Sequence, residues 1–196
     1  MANASREPHL TPPKTLAINS SRDILEKLKR EIERLAASII RQEIVDHGLN
    51  AAMTAWHLTD WAWREIQGSI ARLRSVTASA GTPIREPKQF QEFVKRDCPE
   101  LAYCESIAVS AKHFGFSKVP VFSAKVTERF KISPDPTGKD GGATLHQFSP
   151  ARESFSYTLQ ASELWIIDGR SLTPAAEILE SSFQWWRKFI DEMSIP

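Results

Sequence analysis

The chain has 196 residues, 41% of them apolar and 25% charged, and its 25 Lys and Arg against 24 Asp and Glu leave a formal net charge of +1. A chain of this size can bury roughly 70% of its unfolded surface, so one globular domain can fold without metal or disulfide staples. The even balance, 15 basic against 12 acidic residues up to Cys98 and 10 against 12 beyond it, excludes both a disordered polyelectrolyte and the strong positive field of a dedicated nucleic-acid binder.

Residues 1 to 19 hold Pro8, Pro12 and Pro13, few large apolar groups and no periodicity, which predicts a flexible tail. Ser20 is the expected N-cap, with Asp23 three residues on. Ile24, Leu28, Ile32, Leu35 and Ile39 then recur at steps of four and three, and Glu26, Lys29, Arg30, Glu33 and Arg34 occupy the opposite face. This is an amphipathic helix, with Asp46-His47-Gly48 expected to break or bend it. A second helix is expected from about Asn50 to Gln67. It is apolar on nearly every side, as a central bundle helix would be, and Ile70 to Val76 would continue it beyond a kink. A short helix from Lys88 to Arg96 follows. Another runs from Pro99, capped by Cys98, to about His113, where Gly115 would stop it.

Beyond Gly115 the period falls from 3.6 to 2. Phe122 to Thr127 and Phe155 to Gln160 alternate apolar and polar residues as half-buried antiparallel strands do, with Ala143–Ser149 and Glu163–Ile167 as weaker candidates. Pro134 to Gly142 is an expected loop, and Asp168-Gly169 a hairpin signal. Thr173-Pro174 would open a closing helix on the stripe Leu179, Phe183, Trp186, Ile190 and Met193. The expected fold class is therefore α+β. A helical part spans about 20–116, strands fall within 119–170, and the closing helix at 174–193 packs on them.

The chemistry-bearing residues are few. Cys98 and Cys104 lack a CxxC or Cys/His pattern, and are expected to be reduced and partly buried. In Ala55-Trp-His-Leu-Thr-Asp-Trp61, His57, Asp60 and Arg64 share one stripe of a helix with little other polar surface. Either they line a cleft or partner face, or His57 and Asp60 are hydrogen-bonded cross-links within the core. Further on, Glu105 and His113 return to nearly the same helical face, with Lys112 beside them. If that helix packs antiparallel to the Trp-rich one, His113 approaches the His57/Asp60 stripe. Two histidines and two carboxylates would suit acid–base work or a divalent metal. No HExxH or paired ExxH motif accompanies them, so no metal and no cofactor is expected. GxSxG, P-loop and GxGxxG motifs are absent as well.

The AWHLTDW run, followed some fifty residues later by SAKHF, resembles a group of small uncharacterised bacterial proteins with an A-x-H-L-x-D-W … A-N-x-x-K-H-F pattern. Val109 stands where that pattern has Asn. The helical half resembles HEPN-like domains, bundles found in RNA-cleaving toxins and defence proteins, whose hallmark is an Arg-x(4–6)-His motif acting at a scissile phosphate. The copy here is Arg41 to His47. With 14 Arg and 5 His in the chain, about one such match arises by chance.

Two functions remain. The first is a non-enzymatic interaction module, joining a protein partner or a second copy as a homodimer. The alternative is a HEPN-like protein that binds or cleaves RNA, with His57, Asp60, Lys112 and His113 as the candidate catalytic residues. No targeting segment and no stretch near the roughly 18 apolar residues of a membrane span is evident, so a cytoplasmic location and no membrane partner are expected.

Overall fold

The computed structural model describes residues 18–112, 123–134, 155–168 and 171–195. Most of the expected tail, the helix end near Gly115, residues 135–142 of the expected loop, the strand candidate Ala143–Ser149 and Gly169 lie outside them. Among the described residues six helices and a three-stranded antiparallel sheet make an α+β fold, with the C-terminal helix packed on the rest.

Helix α1 (Ser21–Ala37) starts where its cap does. The Ser20 hydroxyl accepts the Asp23 N–H at 3.2 Å, and the Asp23 carboxylate accepts the backbone N–H of Ser20 at 3.1 Å and of Asn19 at 2.8 Å. These bonds, that to Asn19 foremost, hold the Asp23 carboxyl below its usual range. The apolar stripe buries Ile24, Leu28 and Leu35. The helix ends earlier than expected, because Ser38 turns to an extended conformation while its hydroxyl donates to the Arg34 carbonyl at 2.8 Å. Ile39 thereby leaves the stripe and is 50% exposed.

Helix α2 (Arg41–Gln67) corrects the expected break at Asp46–Gly48 and the expected start near Asn50, since it runs straight through both. Gly48 stands in the helix for a tertiary reason. A Cβ built on it would meet Leu164 Cδ2 at 2.5 Å, so glycine is what lets a strand approach there. As its composition predicts, α2 is the central element, touching every other helix and both long strands. Helix α3 (Ile70–Ala80) is a separate helix with its own Ser69 cap, not a continuation of α2, and Gly81 ends it at φ 70°. Helix α4 (Pro87–Asp97) opens on proline, and α5 (Glu100–Lys112) follows.

Strand β1 (Ser123–Pro134) pairs antiparallel with β2 (Phe155–Asp168), which also pairs with the short β3 (Ser171–Pro174). The Phe155–Gln160 and Glu163–Ile167 candidates prove to be one strand of 14 residues. Between them the register shifts, with Arg129 opposite Ala161 and Phe130 opposite Leu159, which leaves Gln160 as a bulge. Asp168 lies opposite Ser171 in the antiparallel pair. Thr173 and Pro174, expected as cap and first residue of the closing helix, finish β3 opposite Ile166 and Trp165, and Pro174 is the N-cap of the helix, one residue later than expected. Proline is tolerated at that strand end because it lies on an edge. Helix α6 (Ala175–Glu192) follows it.

The core is strongly aromatic. Trp186 is fully buried and its indole N–H donates to the Ala55 carbonyl of α2 at 3.0 Å. Trp185 and Phe189 meet it edge-on and stack on each other with centroids 5.1 Å apart, and Phe93 and Phe90 pack in turn against these two. Trp56 and Trp63 are both buried. Helix α6 thus seals α2 from one side while β2 crosses it at Gly48, leaving a single arc of α2 to face outward.

Candidate functional site

That outward arc carries the polar residues singled out in the sequence. His57, Asp60 and Arg64 recur at three and four residues on α2, so they share one stripe, and all three side chains are exposed. None makes a hydrogen bond or ion pair with another described residue. The core cross-link reading of His57 and Asp60 is therefore wrong. The reason is geometric: α2 is covered by α1 on one flank and by α5 and α6 on the others, and the gap between them falls on positions 57, 60 and 64.

Half-buried Trp61 flanks the stripe on the α1 side, and there a cavity of about 220 Å³ opens between the two helices. Its walls are Ile18, Ile24 and Trp61, and its polar lining is Lys27, Thr54 and His57. Lys27 Nζ donates to the buried Thr54 hydroxyl at 2.5 Å and lies 3.9 Å from Glu31 Oε1. Burial holds Lys27 below the ordinary ammonium range, outweighing the pull of Glu31.

Glu31 is a charged group that the sequence reading passed over. Its side chain is only 8% exposed, and it is neutralised by Arg34 at 3.0 Å and faced by His47 Nδ1 at 3.3 Å. A buried carboxylate needs such partners, and these two lie closer to it than Lys27 does. The clue was present, since Glu31 falls three residues after Leu28 and four before Leu35, inside the apolar repeat.

Glu105 does not join the stripe. Lys95 donates to it at 2.8 Å and to Glu92 at 3.0 Å, while the same ammonium lies 5.9 Å from the centre of the Trp56 ring. Burial pulls the Lys95 ammonium down, but its bonds to the two carboxylates prevail and raise it. Lys112 is the last residue of α5 and His113 follows it. The Lys112 side chain and the whole of His113 lie outside the described residues, as does any approach of His113 to His57.

Cys98 and Cys104 are free and buried. Desolvation, reinforced by Glu100, pushes both thiols up to about 12, so neither is a nucleophile at neutral pH. Among the described residues no cluster of three or more His, Cys, Asp or Glu is placed to hold a metal ion, and no helix is long and apolar enough to cross a membrane. A wider groove of about 630 Å³ runs beside α4, but its Arg96 is already occupied by the Ala80 carbonyl at 3.1 Å and the Phe93 ring.

The chain matches no family model, no curated protein and no solved structure. The chemistry of the α2 arc must speak for itself. It offers an imidazole, a carboxylate and a guanidinium with free hydrogen-bonding capacity, beside an indole and a small cavity.

Proposed function

We propose that the protein is an interaction module whose recognition surface is the outward arc of α2. The observation that carries this reading is that His57, Asp60 and Arg64 are exposed without intramolecular partners on the helix that is otherwise the best-covered element of the fold. Trp and Arg are the residue types that dominate binding hot spots, and Trp61 with Arg64 supplies both within one turn. Partnerless Asp60 and Arg64 lose no internal bond when they pair with a partner, and their opposite charges set its orientation. A second copy of the chain is one such partner.

The alternative, an RNA-directed HEPN-like protein, has less support. Arg41 and His47 both fall on α2, but six residues of helix separate them by about 120° around its axis. His47 also faces the buried Glu31. His57 and Arg64 remain available to a phosphate, so nucleic acid is retained as an outcome of the test.

The test compares wild type with an Asp60→Arg/Arg64→Asp charge swap, both recovered at low salt from the cells that make the protein. Co-purifying protein, or a dimer mass, that disappears in the swap at unchanged melting temperature supports the interaction module. Nucleic acid that disappears in the same way favours the alternative. The same partners recovered by both proteins would overturn the assignment to this arc.

A further inference from the structure

The cavity between α1 and α2 shares His57 and Trp61 with the α2 arc, but its polar end is built by Lys27 and Thr54, which the arc does not use. We infer that it is a binding site for a small monocarboxylic acid with a compact apolar body, of the size of phenylacetate. The volume comes first. A dry cavity of roughly 150 Å³ takes a benzene ring, so 220 Å³ holds a ring or branched chain together with a carboxylate. The walls suit that body, because Ile18, Ile24 and the Trp61 indole present carbon surface with an aromatic face.

The polar end suits an anion, on three grounds. Lys27 is the cation of the cavity, and its opposite charge is incompletely supplied. Glu31 lies 3.9 Å away and is itself bound more closely by Arg34 at 3.0 Å. Thr54 is 95% buried, its oxygen accepts the Lys27 N–H, and its own O–H donates to no described residue. Lys27 and Thr54 therefore offer an ammonium N–H and a hydroxyl O–H from adjoining points, a pair that one carboxylate can accept together. His57 stands at the rim with both ring nitrogens free of described partners and adds a third donor. An incoming carboxylate would also offset the desolvation that burial imposes on the Lys27 ammonium. Neutral ligands of the same shape lack that gain, which gives the site its selectivity.

The experiment titrates the full chain with phenylacetate, following binding by calorimetry and by the amide and indole resonances of Trp61. Phenylacetamide serves as the neutral isostere, and an acetylated tripeptide ending in a free Phe carboxylate as the peptide counterpart. Saturable binding of phenylacetate, at least tenfold tighter than the amide and weakened at least tenfold by Lys27→Met, is the expected result. Lys27→Met keeps the aliphatic stem, and Thr54→Val, which removes only the hydroxyl, is a second variant expected to weaken the acid more than the amide. Equal affinity for acid and amide would overturn the anion site. Absence of binding by either small ligand would overturn the cavity as a site. Binding confined to the tripeptide would overturn the small-molecule assignment in favour of a peptide C-terminus. Each of these outcomes leaves the charge-swap test of the α2 arc unaffected.

Discussion

Gly48→Ala sets two opposed effects against each other at the crossing of α2 and β2. Alanine in a helix interior is favoured over glycine by about 1 kcal/mol. Against that, the new Cβ would lie 2.5 Å from Leu164 Cδ2, with Leu35 Cδ1 at 4.0 Å. Carbon atoms rest at about 3.5–4.0 Å, so the Leu164 methyl must move by about 1 Å or β2 must withdraw. Leu164 pairs with Val126 across the ladder, and its neighbour Trp165 is tied to Thr127 by an indole bond of 2.9 Å, which limits both responses. Repacking of this kind costs about 1–3 kcal/mol, so the net effect expected is a loss of about 0–2 kcal/mol. In a Leu164→Ala background the obstacle is gone, and the same substitution should stabilise by about 1 kcal/mol. Urea unfolding of the four proteins, with m-values compared, yields the coupling directly. Stabilisation by about 1 kcal/mol in both backgrounds would refute the close approach at Gly48.

Trp56→Ala and Trp63→Ala should each cost about 3–5 kcal/mol by urea unfolding, since both indoles are buried against the bundle. His57→Ala and Asp60→Asn, by contrast, should shift stability by no more than about 0.5 kcal/mol, as expected of exposed residues without partners. A loss of about 1–3 kcal/mol in both would return these residues to a structural role. Native protein should resist a thiol reagent at pH 8 and react at both cysteines only when unfolded. The folded thiols hold their protons to about pH 12 while the unfolded chain releases them near 9.0, so the unfolded state binds fewer protons between those values. The thiol contribution to stability is therefore complete below about pH 9 and declines from there towards 12, which alkaline melts would record.

Much of this architecture is legible in the residues, and the misplacements have physical causes. The capping box at Ser20 and Asp23 and the all-round apolar character of α2 locate the first helix and the centre of the fold. The break between α1 and α2 is missed because Ser38-Ile39-Ile40 carries a weak stop signal, whereas the glycine of Asp46-His47-Gly48, which reads as a stop, serves instead the close approach of Leu164 from far along the chain. Strand β2 reads as two strands because the Gln160 bulge interrupts its alternation at the point where the candidates divide. At the site, helical spacing places His57, Asp60 and Arg64 on one stripe, but the side left uncovered depends on where α1, α5 and α6 dock. Lys27 and Thr54 are invisible for the same reason: each is an ordinary residue until two helices bring them within 2.5 Å.

Helices α1 and α6 lie side by side at opposite ends of the described chain. Arg22 bonds Asp191 at 3.0 Å and the Ile195 carbonyl at 3.3 Å, while Arg72 holds the Ser194 carbonyl at 2.7 Å. A stretching force applied through the two ends of the described chain therefore arrives at the seam where α1, α2 and α6 meet, since the Ser21 N–H that opens α1 also donates to Glu65 of α2 at 2.9 Å. The Arg22–Asp191 pair is exposed and worth little by itself, so resistance at that seam rests on apolar packing between the helices. Once it parts, the face of α2 against which Trp186 is buried opens to water. Mechanical strength in this fold is thus set where its first and last helices meet, beside the central helix that organises everything else.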